Sequence, residues 1–163
     1  MRVLGIDPGS TVTGFGIVEQ HRGRILLVDA GCVRTKSSDD MAMRLRIIYD
    51  GLREVLEAHQ LDAVAIEAIF RHKSSASALT LGQARGVALL AAAHSGFAPF
   101  EYNPMTVKRS IGAHGRADKH AIKRMVQLLV GTEVPGPLDA SDAVAIAITH
   151  CAHARSPALG GNR

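Results

Sequence analysis

Apolar residues fall into short runs along the first third of the chain. Val3–Asp7 ends at Pro8-Gly9, and the β-branched runs Val12–Val18 and Ile25–Val33 are separated by polar residues around His21–Gly23. Runs of this length closed by Pro and Gly predict three consecutive strands joined as a meander. After the capping side chains Ser37-Ser38-Asp39, apolar residues recur at Met41, Leu45, Ile48, Leu52 and Val55. Steps of three and four predict an amphipathic helix. Asp62–Phe70 predicts a buried strand, Ser74–His94 an Ala-rich helix and Pro99–Tyr102 another strand. From Pro104 the pattern predicts a short helix, a Gly-rich loop at Gly112–Gly115 and a helix with its stripe at Ile122, Met125, Val126 and Leu129. A Pro-Gly-Pro turn and a last helix from Asp139 to about Ala154 follow. Strands followed by alternating helices and strands predict an α/β sandwich with a mixed sheet, parallel at each crossover.

Length and composition narrow this. The chain has 163 residues, 47% hydrophobic and 21% charged, without repeats or a low-complexity linker, which fits one globular domain over 1–155 with a frayed tail at 156–163. Aromatic residues make up only 4%, so the core must be aliphatic. The longest uninterrupted apolar run, Val87–Ala93, falls short of the roughly 18 residues of a membrane span, and the apolar run after Arg2 is too short for a signal peptide. A cytoplasmic protein is expected, with no membrane partner. Cys32 and Cys151 form no CxxC and are expected to be buried thiols. The net charge of +4 is local: residues 101–130 carry Lys108, Arg109, Arg116, Lys119, Lys123 and Arg124 against Glu101 and Asp118, whereas 1–60 balance at eight and eight. One basic segment in a chain of pI near 9.4 is the footprint of a nucleic-acid binder, or else a solvated helix face.

Four carboxylates stand out. Asp7 ends the first strand, where ligand crevices form in open α/β sheets, although Asp-Pro-Gly is also an ordinary turn. Glu67 sits in Ala63-Val-Ala-Ile-Glu-Ala-Ile-Phe70, apolar on both strand faces. Burying it costs several kcal/mol unless a cation, such as that of a structural salt bridge, compensates. Asp139 and Asp142 open an apolar helix three residues apart, so both point to one side, or else they cap it and complement its dipole. Carboxylates on three core elements are most economically explained by a shared cation. Two like charges at about 4 Å repel by roughly 4 kcal/mol at an effective dielectric of 20, and oxygen-only ligation suits Mg²⁺ or Mn²⁺. The eight histidines lack metalloprotease spacing, and there is no Walker A loop or nucleophile elbow.

Taken with Leu81-Gly-Gln-Ala-Arg-Gly86, the motifs Gly5-Ile-Asp-Pro-Gly-Ser10, Ala65-Ile-Glu67 and Asp139-Ala-Ser-Asp-Ala-Val-Ala-Ile146 closely resemble the bacterial RuvC family of Holliday junction resolvases, from residue 1 to about 155. The resemblance implies an RNase H-like fold, a five-stranded mixed sheet with helices on both faces, acting as a homodimer. It implies that Asp7, Glu67, Asp139 and Asp142 bind two divalent metals, Mg²⁺ with Mn²⁺ as substitute. The reaction implied is hydrolysis of one phosphodiester in each of two opposing strands of a four-way DNA junction, in recombination and repair, with the RuvA–RuvB branch-migration complex as partner. Phe70 matches the family's aromatic stacking residue, and Lys108 and Lys119 its important basic residues. Arg116 and Lys123 join them as expected phosphate contacts, Lys119 and Lys123 on a helix face opposite the apolar stripe. Ala113-His-Gly-Arg-Ala-Asp118 departs from the family pattern. The Ala-rich helix, with Gly82 and Gly86, is either a dimer surface or buried against its own sheet.

Three other functions compete. Gly5-Ile-Asp-Pro-Gly-Ser-Thr11 also looks like the first phosphate turn of actin-type ATPases, but no second phosphate turn follows. A ribonuclease H-type enzyme would share the carboxylates and differ in substrate. A junction-binding protein without catalysis would not need all four.

Overall fold

The structure, a computed structural model, describes residues 1–68, 75–114 and 117–154; Phe70, Arg116 and the expected tail lie outside them. Strands β1 (Arg2–Asp7), β2 (Val12–His21) and β3 (Arg24–Arg34) form the antiparallel meander. Strands β4 (Ala63–Glu67) and β5 (Phe100–Tyr102) add in parallel on the other side of β1, giving the order β3-β2-β1-β4-β5. β2 outruns its apolar run because pairing continues to His21 opposite Arg24, where Arg22 and Gly23, at φ 46° and 89°, close the hairpin with the positive dihedrals such turns need.

Among the described residues five helices cover the sheet: α1 (Met41–Ala58), α2 (Ser75–His94), α3 (Pro104–Ser110), α4 (Lys119–Val130) and α5 (Leu138–Ala154). The cap of α1 is Asp40, whose carboxylate accepts the Met43 N–H at 2.9 Å; Ser37–Asp39 form the turn before it. Asp118 caps α4 by accepting the Ala121 N–H at 2.7 Å. The buried stripe of α4 is Ile122, Val126 and Val130, spaced by four, so Leu129, expected inside, lies 41% exposed.

The strand period of two sends Leu4, Ile6, Ile17, Val64 and Ile66 to one face, where they pack under α1 and α2 with Ile48, Leu52, Ala84 and Ala88. The other face carries Val3, Val18, Ala63 and Ala65, which pack with Val107 of α3, Val126 of α4 and Val144 of α5. Over Ala76–His94 α2 has the length and mean hydropathy, 1.2, of a membrane-crossing helix, a feature that uninterrupted apolar runs do not flag. Its buried positions, Ala84, Ala88, Ala91 and Ala92, belong to the core with α1.

On the opposite face α5 lies almost directly on the strand backbone. A Cβ at Gly5 would stand 2.1 Å from the Ala143 carbonyl oxygen, and one at Gly14 2.1 Å from that of Asp139. Only glycine permits so close an approach. The two contacts fix where the N-terminal end of α5 sits above β1 and β2.

Candidate active site

Asp7 and Glu67 end parallel neighbours whose register pairs Ile6 with Ile66, so the two carboxylates leave the sheet side by side. Asp7 lies opposite Gly14, against which the Asp139 backbone is packed, and Asp142 follows three residues along α5. Sheet register and the glycine contacts thus gather all four acids at one end of β1. Asp7, Glu67 and Asp142 line a cleft of about 510 Å³ with Lys108 and Lys119. Asp139 is outside that lining but connected to it, since Lys119 Nζ stands 3.7 Å from Asp139 Oδ1 and 3.2 Å from Asp142 Oδ2.

The charges respond to one another. Burial, followed by the charges of Glu67, Asp142 and Asp139, pushes the Asp7 carboxyl well above the ordinary aspartate range, against the opposing pull of Lys119. Burial and Asp142 raise Glu67, which Lys119 and Lys108 partly offset. Asp142 is raised by burial and then by Asp139, again against Lys119. Burial alone would lower the Lys119 ammonium, but Asp142, Asp139 and Asp7 together hold it above its usual value. With Lys119 among the acids, no three acidic, His or Cys side chains close on a single point among the described residues. The donor set itself, four carboxylates, fits a hard divalent cation and offers no soft ligand. Cys32, near Asp139, is no exception: burial and then the Asp139 charge push its thiol up to about 11.

The basic residues separate. Lys108 faces the cleft and donates to the Ala117 carbonyl at 3.0 Å. Lys119, expected on the side of α4 away from the core, instead turns to the acids, because the Asp118 cap starts α4 beside the N-terminal end of α5. Lys123, one turn on, is half-buried and outside the cleft lining. Phe70 and Arg116 are not placed by the described residues. Sequence reasoning missed the pairing of Lys119 with acids 20 and 23 residues away, which no local pattern carries. It also missed the supporting glycines, whose signal was present: Gly5, Gly14 and Gly16 inside strands mark close backbone approach.

Lys119 stands as a counterion to the acid cluster. A lysine whose pKa is raised in the folded protein stabilises it below the unfolded value, and this stability disappears as pH rises through the folded value. Lys119→Met in EDTA at neutral pH should therefore melt lower. The side chain is 57% exposed, so screening limits the loss to under about 1 kcal/mol, or roughly 2–4 °C. The difference should vanish in acid as the carboxylates protonate; equal melting temperatures at neutral pH would contradict the counterion role.

Comparison with known proteins places the chain in a family. Residues 3–150 match the family model described as Crossover junction endodeoxyribonuclease RuvC. A protein of that name from Moorella thermoacetica is 45% identical over 155 residues, covering 94% of this chain and 93% of its own. Another, from Trichlorobacter lovleyi, is 47% identical over 150 residues, covering 92% and 84%. Among solved structures, Thermus thermophilus RuvC in complex with a Holliday junction substrate superposes with a TM-score of 0.85 at 33% identity, covering 95% of this chain and 96% of that one. The yeast mitochondrial Holliday junction resolvase, 13% identical with a TM-score of 0.61, shares the fold.

Proposed function

Because the chain belongs to the RuvC family of crossover junction endodeoxyribonucleases, a family of metal-dependent hydrolytic nucleases, we propose that it cuts four-way DNA junctions at the cleft between β1, β4 and α5. The carrying observation is the convergence of Asp7, Glu67 and Asp142 on that cleft, with Asp139 joined to it through Lys119. These four side chains would hold two Mg²⁺ or Mn²⁺ ions. Such ions supply Lewis acidity that activates water and stabilises the leaving oxygen of an in-line displacement. The chain's own part is to bind and orient. Lys108, anchored on the Ala117 carbonyl, would present positive charge to a phosphate in the cleft, and Lys119, freed of its pairing with the acids, would join it. Arg116 and Lys123 would hold the flanking backbone, and Phe70 would stack on a base at the crossover. The test is cleavage of a synthetic four-way junction beside an RNA/DNA hybrid, with and without Mg²⁺. Mg²⁺-dependent paired nicks in the junction alone support this reading, and preferential cutting of the hybrid supports a ribonuclease H-type enzyme.

Two opposed strands require two cleavage centres, and the homodimer we propose would meet along α2. Leu79, Gln83, Gly86, Leu90 and Ala93 form one exposed face of that helix; Leu79 is 67% exposed, Leu90 49%, and a Cβ at Gly86 would meet nothing within 4 Å. This strip of small and apolar residues suits a second copy of the same helix. Leu90→Glu puts like charges on both copies, so light scattering should report a monomer where the unmodified chain is dimeric; an unchanged mass would move the interface elsewhere. The RuvA–RuvB complex is the expected supplier of junctions, and the cytoplasm, where bacterial DNA lies, the expected compartment.

A further inference from the structure

The catalytic cleft is continued by two smaller depressions. Glu67 lines both the cleft and a small pocket bounded by Pro8, Leu81 and Arg85. Leu81 in turn lines that pocket and a groove of about 320 Å³ that includes Ser10, Ser77 and Thr80. A track thus leads from the carboxylates over the loop after Asp7 to the outer face of α2.

The charge along this track is uneven. Arg85 is neutralised by Glu101 at 2.5 Å. Arg44, which reaches the loop from α1, has no carboxylate partner among the described residues. Its Nη2 donates to Ser10 Oγ at 2.8 Å and to Thr11 Oγ1 at 3.2 Å, and its Nε to the Ser10 carbonyl at 3.2 Å. All are neutral acceptors, so a full positive charge stands uncompensated behind the groove. The Thr35 hydroxyl donates to the same Ser10 carbonyl at 2.6 Å, and the buried Thr13 hydroxyl donates to Gly9 O at 2.7 Å, so the loop is held on both sides. Ser10 Oγ accepts from Arg44, which leaves its own hydroxyl proton to be donated. A donor polarised by an arginine and set in an open groove of hydroxyls calls for an anionic oxygen.

We propose that this groove binds a backbone phosphate of the cleaved DNA strand, with the Ser10 hydroxyl as donor and Arg44 as the charge behind it. The inference rests on the cleft being the cleavage site and adds the path the strand takes from it. Ser10 is three residues from Asp7, at most about 11 Å along the chain, which places the phosphate one or two nucleotides from the scissile one.

Binding without cutting tests it. Junctions carrying one uncharged methylphosphonate at each position around the mapped cleavage point are titrated in EDTA. Besides the positions served by Lys108, Arg116 and Lys123, the unmodified chain should lose roughly tenfold in affinity at a position one or two nucleotides from the cut, the loss expected of one charge-backed phosphate bond. Ser10→Ala and Arg44→Gln should bind the native junction more weakly, with a salt slope smaller by about one for Arg44→Gln, and should be indifferent to that methylphosphonate. Ser10→Ala removes only a hydroxyl and guards against a folding defect at Arg44. Retained sensitivity in both variants, or no sensitive position in the unmodified chain, would overturn the assignment. A failure of the four-carboxylate reading shows separately, as cutting by Asp7→Asn.

Discussion

The Asp7→Asn protein should bind four-way junctions and leave them uncut. The substitution removes one charge from the carboxylate cluster at nearly constant shape and touches none of Lys108, Lys119 or Lys123, so backbone affinity should persist. Loss of a ligand from a two-metal centre forfeits several kcal/mol of transition-state stabilisation, about a thousandfold or more in rate. Electrophoretic shift and nicking, measured on one preparation, should separate; near-normal nicking at saturating Mg²⁺ would remove Asp7 from the centre. A second readout needs no substrate. The Asp7 pKa is raised on folding by burial and then by Glu67 and Asp142, so the folded state holds its proton more tightly than the unfolded chain does. Stability is then lost as pH rises from the unfolded value through the folded one, and at neutral pH the charge costs stability. In EDTA, Asp7→Asn should melt higher than the unmodified chain, opposite in sign to Lys119→Met.

Gly5→Ala should lower stability by an amount unusual for a single added methyl. The new carbon would stand 2.1 Å from the Ala143 carbonyl oxygen and 2.7 Å from the Ala147 nitrogen, both backbone atoms of a buried helix that no rotamer change can move. Overpacking commonly costs about 1–3 kcal/mol, and this contact belongs at the upper end, which for a chain of this size is a fall of roughly 10 °C. A melting temperature within a degree or two of the unmodified chain would show that α5 can slide off β1 freely. Gly14→Ala tests something different, because its 2.1 Å contact is with the Asp139 carbonyl. Pushing that end of α5 displaces two carboxylates at once, so cleavage should fall further than the melting temperature accounts for. If Gly14→Ala loses activity only in proportion to folded protein, the glycine contact does not position the site.

The legible part of this molecule was what repeats locally. Strand and helix order came from the periods at Val3–Asp7 and Met41–Val55, and the four acids were visible because Asp7 ends a strand at the crevice, Glu67 interrupts a run apolar on both faces, and Asp139 and Asp142 open an apolar helix three residues apart. Three things were not legible. The Lys119 pairing joins α4 to α5 and depends on how one helix start faces another. The stripe of α4 drifted from Leu129 to Val130 because the helix turns 3.6 residues at a time, and single positions at a stripe's edge are decided by packing. The sequence left α2 open between a dimer surface and burial against its own sheet, because its composition marks no polar face; among the described residues its alanines at 84, 88, 91 and 92 are fully buried, and its leucines at 79 and 90 face outward.

The sheet separates two apolar interiors, one shared with α1 and α2 and the other with α3 to α5. Asp139 and Asp142 stand on the second side, and the face of α2 proposed to meet a second copy belongs to the first. Strain entering at α2, from a partner helix or from a junction arm pressing on the Ser10 groove, must cross a hydrogen-bonded sheet before it reaches α5. The sheet therefore works as a bulkhead. The outer face of α2 can yield while Asp139 and Asp142, across the sheet on α5, keep their spacing.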